Sequence, residues 1–133
     1  MSKEELLNKV VFPAGLVGFP ALEAFRLMEP TGGYPLKFLQ AVDQEEVSFV
    51  CIDIAAIKPD YEVPLGEEEA QSLALENSAD ALVLALVVIP ENPRLMTANL
   101  AGPLVINTKT LQGRQIILNP DKYPLKFRVF SDK

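Results

Sequence analysis

The side chains here that could do acid–base or covalent chemistry are chiefly carboxylates: eighteen Asp and Glu, a single cysteine and no histidine. Without histidine the chain lacks the commonest general base, the commonest metal ligand and every His-based triad. Two carboxylates can hydrolyse a glycoside when they converge across a cleft. These acids fall mainly in a predicted turn, a loop and a helix start, where a solvated surface is the simpler reading. No alternating Asp/Asn run forms a calcium loop. A zinc site needs several Cys or His ligands, and Cys51 stands alone. Set within an apolar stretch, Cys51 reads as an inert core thiol. Gly15, Gly18, Gly32 and Gly33 lack a phosphate-loop or dinucleotide pattern around them. No catalytic residue, metal or cofactor is expected.

The carboxylates carry their information in their distribution. Net charge is −6. Residues 41–80 hold eleven acids against one base, Lys58, whereas residues 81–133 hold three acids against seven bases. Turn propensity accounts for Asp43, Glu45 and Glu46, and a helix dipole accounts for Glu67, Glu68 and Glu69. The accumulation exceeds what either local effect requires. A field of this sign repels nucleic acid and attracts basic partners. Candidate contacts are therefore Asp43, Glu45, Glu46, Asp60, Glu62, Glu67 and Glu68. Tyr61 lies among them as an amphipathic anchor of the kind favoured at interfaces.

The elements that must position these residues are mostly short strands. Residues 10–12 form a β-branched and aromatic run closed by Pro13, and GLVGFP over residues 15–20 is a loop. Residues 21–25 make one helical turn or an irregular link. Residues 27–29 read as a strand ended by the turn Pro30-Thr31-Gly32-Gly33. Residues 36–42 and 47–54 pair as a hairpin across an acidic turn. In its second strand Phe49 and Cys51 face one way, and Val50, Ile52 and Ile54 the other. The two-proline stretch 58–66 is an extended loop, and residues 67–75 form the best helix, with Ala70, Leu73 and Ala74 on one stripe. Residues 81–89 read as a buried strand with Leu82, Leu84, Leu86 and Val88 opposite a face of smaller residues. Residues 97–107 and 114–118 follow as strands joined by a turn. Leu125, Phe127 and Val129 then alternate with basic residues.

About eight short strands and one short helix, separated by eleven prolines, predict a mainly β fold, a small barrel-like or sandwich domain spanning residues 1–133 as one unit. A single cysteine excludes a disulfide-stapled secreted fold. The longest apolar run, nine residues, is less than half a membrane span. A cytoplasmic protein with no membrane partner is expected.

Several stretches taken in order resemble the FliW family of flagellar assembly factors. They are Phe12-Pro13-x-Gly15-Leu16-Val17-Gly18-Phe19, Phe38-Leu39-Gln40, Pro59-Asp60-Tyr61-Glu62 and Met96-Thr97-Ala98-Asn99-Leu100. The last continues through Pro103-Leu104-Val105-Ile106-Asn107, Thr110, Gly113 and Gln115. Val17 stands where the family commonly has proline. The resemblance implies a non-catalytic protein that binds the RNA-binding translational regulator CsrA, relieving its repression of flagellin synthesis, and that also binds flagellin as a chaperone. On that reading the acidic surface from Asp43 to Glu69 steers CsrA, and Tyr61, Phe19 and Met96 are the candidate anchors. Flagellin's amphipathic terminal helices call for an apolar groove, for which the Met96, Leu100 and Val105 face is the candidate, although these residues read first as core. The alternative is a non-catalytic β module for another ligand such as carbohydrate.

Overall fold

The computed structural model describes residues 9–29 and 36–130, so the turn expected at residues 30–33 lies outside the described residues. Among the described residues nine strands form one antiparallel sheet. They are β1 (Lys9–Val11), β2 (Ala24–Met28), β3 (Leu36–Ala41), β4 (Ser48–Asp53), β5 (Ala81–Val88), β6 (Thr97–Ala98), β7 (Leu104–Asn107), β8 (Gly113–Gln115) and β9 (Phe127–Arg128). Strands β1 to β5 pair in sequence order. Beyond β5 the sheet forks: Ala81–Leu84 pairs with β7, while Val87 and Val88 pair with β6, which in turn pairs with β9. The mainly β expectation holds, but the sheet does not close into a barrel. A single parallel bridge, with the Val11 N–H donating to the Leu111 carbonyl at 3.0 Å, ties the β1 edge to the β7–β8 hairpin.

The continuous strand expected over residues 97–107 is broken in two. Asn99 Oδ1 accepts the Ala101 N–H at 2.9 Å, turning the chain, and Pro103 has no N–H to give a ladder. That interruption creates the fork. The helix is also shorter than its stripe suggested: α1 covers Glu67–Ser72. Its end is a Schellman closure, with Leu75 N–H donating to the Ala70 carbonyl and Ala74 N–H to that of Gln71. Ala74 takes the left-handed position at φ 53°, where glycine is usual.

Strand alternation divides the interior. Phe49 and Cys51 of β4, with Leu82, Leu84 and Leu86 of β5, face a core containing Phe12, Phe25 and Leu39. On the opposite face Ile52, Ile54 and Ala85 join Ala98 and Leu100 beneath Tyr61, Tyr123 and Phe127. A third cluster of Leu73, Val105 and Ile116 seats the end of α1 on β7. Burial of both faces explains why β4 and β5 read as nearly continuous apolar runs. At the bridged edge Phe12 lies against Gly113, where an added Cβ would meet the ring at 2.6 Å. Glycine is required there by space.

Candidate functional site

The acidic residues divide into two groups. Asp43, Glu45 and Glu46 are exposed in the turn between β3 and β4, which is braced by the Gln40 amide donating to the Glu45 carbonyl at 3.0 Å. Asp60, Glu62, Glu67 and Glu68 are also exposed, but they follow the far end of β4. They flank opposite ends of β4, a six-residue strand whose extended length is roughly 20 Å, more than two Debye lengths at physiological salt. The structure thus resolves the expected continuous surface from Asp43 to Glu69 into two patches.

Within the second patch the acids differ in their local roles. Lys58 Nζ lies 3.2 Å from Asp60 Oδ1, and this hydrogen bond, helped by the lysine charge, holds the Asp60 carboxyl below its usual range. Glu67 and Glu68 open α1, where carboxylates favour the helix N-terminus. Glu69 Oε1 reaches back to accept the Gly66 N–H at 2.8 Å. Among the described residues Glu62 makes no hydrogen bond or ion pair. It lines a groove of ≈ 550 Å³ together with Asp53, Ile54, Val63, Leu65 and Val83.

The three candidate anchors separate by exposure. Phe19 is 39 % exposed and stands edge-on to Phe49 with ring centroids 5.3 Å apart, so it is a surface aromatic fixed by the core. Tyr61 is half-buried: its hydroxyl donates to the Leu100 carbonyl at 2.7 Å and its ring meets Tyr123 edge-on. Burial, then the nearby Tyr123, pushes its pKa up to about 12. Tyr61 therefore ties the loop to the second core, leaving part of its ring on the groove wall. Met96 is 6 % exposed and belongs to the interior, which corrects its nomination as a surface anchor. Leu100 and Val105 are likewise buried, so the Met96, Leu100 and Val105 face is not an open helix-binding groove.

Cys51 is fully buried, and desolvation pushes its thiol up to about 12, as a core cysteine requires. Among the described residues no cluster of three or more His, Cys, Asp or Glu could hold a metal ion. No helix among them is long and apolar enough to cross a membrane.

Two positioning residues escaped the reading from sequence. Asn107, 3 % exposed, donates from Nδ2 to the Leu73 carbonyl at 2.8 Å and that of Ala74 at 3.2 Å, fastening the end of α1 to β7. Gln115 accepts the Val17 N–H at 2.8 Å and donates to the Gly102 carbonyl at 3.0 Å, holding the 15–20 loop against the fork. Both belong to the block that carries the family resemblance. Nothing in their residue type alone distinguishes a bracket from a solvated amide. The groove was missed as well, because its walls come from segments far apart in the chain.

Comparison with known proteins bears on the whole chain. Residues 2–129 match the family model described as FliW protein. A protein of Natranaerobius thermophilus named flagellar assembly factor FliW is 36 % identical over 93 % of this chain and 83 % of its own length. One of the same name from Caldanaerobacter subterraneus is 38 % identical over 92 % of this chain and 83 % of its own. A crystal structure of the flagellar assembly factor FliW superposes with a TM-score of 0.88 at 28 % identity, covering all of this chain and 91 % of that one. The fold and the sequence agree, and this chain belongs to the FliW family.

Proposed function

We propose that this chain is a cytoplasmic flagellar assembly factor that works by holding two proteins, CsrA and flagellin, and transforms no substrate. Capture of CsrA relieves its repression of flagellin synthesis, and capture of flagellin makes the same chain its chaperone and occupies it until flagellin is exported. The observation that carries this reading is the family match over residues 2–129. The local chemistry supports it. The exposed acids at 60–68 suit a basic RNA-binding protein, and complementary charge of that kind acts mainly on association rate. The same charge disfavours direct binding of RNA by this chain.

Co-purification with CsrA and with flagellin, separately and together, at low and high salt, tests the reading. Each should be retained, and CsrA capture should weaken as salt rises. Changing Asp60, Glu62, Glu67 and Glu68 to lysine together should slow CsrA association by about tenfold or more at low salt. Unchanged rate and salt dependence would remove these acids from the mechanism. Retention of neither protein would end the proposal.

A further inference from the structure

Along the path β1–β2–β3–β4–β5–β7–β8 each strand is joined to the next by a continuous ladder. Where β8 comes back to β1, the described residues show an isolated parallel bridge between Val11 and Gln112 instead. Contacts across this seam fall on alternate residues of the hairpin. The Leu111 carbonyl accepts the Val11 N–H at 3.0 Å, Gly113 lies under the Phe12 ring, and Gln115 Oε1 accepts the Val17 N–H at 2.8 Å.

The segment held there is stiff in itself. Gly15, at φ 71°, folds the chain back so tightly that a Cβ would meet the Pro20 carbonyl oxygen at 2.5 Å. Its N–H donates to the Phe12 carbonyl at 2.8 Å, and Leu16 and Phe19 exchange backbone bonds at 3.2 and 2.8 Å. Away from the seam, the Phe12 N–H donates to the Glu23 carbonyl at 2.7 Å and the Phe12 ring meets Phe25 edge-on. Leu111, by contrast, is strained. It takes a left-handed φ of 62°, where a bulky side chain crowds its own backbone. The β7–β8 turn imposes this, with the Leu111 N–H donating to the Asn107 carbonyl at 2.7 Å.

We infer that β1 and the 12–20 loop form a strap that unlatches from the β7–β8 hairpin while the rest of the sheet stays folded, with Leu111 as the latch. The strained residue is the one whose carbonyl takes the Val11 N–H, so relaxing the turn and losing the bridge are one event. Release costs the Val11 and Val17 bonds, returns the strain and bares the edge of β8, while the β1–β2 ladder survives. This device belongs to the chain alone and is independent of the partner-holding reading above.

Amide hydrogen exchange followed by NMR on the full chain tests it. The N–H groups of Val11 and Val17 point across the seam and that of Phe12 points back to Glu23. Rates are read relative to Phe12, so that a change in overall stability cancels. Val11 and Val17 should exchange about tenfold or more faster than Phe12. Leu111→Gly removes the strain and should slow both by about threefold, whereas Leu111→Val, β-branched at the same φ, should speed both by about tenfold. A packing role for the Leu111 side chain would instead make glycine the more harmful change. Gln115→Ala cuts one contact and should speed Val11 as well as Val17, because the strap leaves as a unit. Val11 exchanging no faster than Phe12, a glycine variant that speeds it, or Gln115→Ala that leaves it unchanged overturns the strap, and these three readings decide even if Leu111→Val does not fold.

Discussion

Asn107→Ala cuts a bracket between segments that are 34 residues apart in the chain. Besides its two bonds to the carbonyls of Leu73 and Ala74, the Asn107 side chain accepts the Lys109 N–H at 2.8 Å and, more distantly, the Thr110 N–H at 3.4 Å. Three of the four bonds have good distances. At about 1 kcal/mol net for each, their loss costs about 3 kcal/mol, with solvent at the half-open turn offsetting part and the stranded Leu73 carbonyl adding to it. For a chain of this length that corresponds to a fall of about 10 °C in Tm. Urea and thermal melts followed by circular dichroism measure it. Hydrogen exchange adds a local readout, because the amides of Leu73 and Leu75 should lose protection before β4 and β5 do. A stability loss under about 1 kcal/mol would refute the bracket.

Asn107→Asp sharpens the test. It keeps the acceptor toward Lys109 but points a carboxylate at two carbonyls that need a donor. When protonated, the same side chain can donate again. Its carboxyl is therefore raised in the folded state, and its stabilising contribution is present below the unfolded-state value and lost as pH rises. Relative to wild type, this variant should recover stability toward acid pH. A flat difference across the carboxylate range would contradict that geometry.

Three further outcomes follow from individual residues. Ala74→Gly relieves a left-handed backbone at φ 53° on an exposed position and should stabilise by about 0.5 kcal/mol in urea melts; a loss of stability would count against the Schellman closure. Cys51, fully buried, should resist thiol reagents until the protein unfolds, and rapid reaction in the native state would contradict its core position. Because burial raises its thiol from 9.0 to about 12, its contribution to stability is complete below pH 9 and lost as pH rises toward 12; Cys51→Ala should flatten that decline. Gln115→Ala should expose the Val17 amide to rapid exchange while leaving β4 protected, and unchanged exchange at Val17 would show that the loop is held by other means.

Strand identity was legible in β4 and β5, where side-chain alternation and burial agree, but β2 begins at Ala24, inside the stretch read as a helical turn or irregular link. Cys51 and Ile52 point to different cores, as their positions in β4 require, and β5 divides its leucines from its smaller residues in the same way. The interruptions were harder to read. Residues 97–107 contain good strand formers at both ends, and the break depends on an Asn99 side chain turning back on its own backbone. A stripe through Ala70, Leu73 and Ala74 suggested a longer helix, yet the chain leaves α1 after Ser72 so that Leu73 can bury against Val105 and Ile116. Tertiary packing decided that boundary. Met96 shows the same limit at the site: residue type marked it as apolar, and only its 6 % exposure in the folded chain shows that it is interior.

Open aliphatic walls lie beside the acids at the far end of β4, whereas at the turn end the exposed apolar side chain is Phe19, packed edge-on against Phe49. A partner drawn to Asp43, Glu45 and Glu46 would meet a turn whose own side chains are exposed and polar. A partner drawn to Glu62 and Glu67 arrives beside open aliphatic walls, where the same encounter can continue into burial. At physiological salt the roughly 20 Å between the ends keeps the two fields nearly independent. The long acidic run is therefore two exposed groups in sequence continuity alone, and the group after β4 is the one beside open aliphatic side chains.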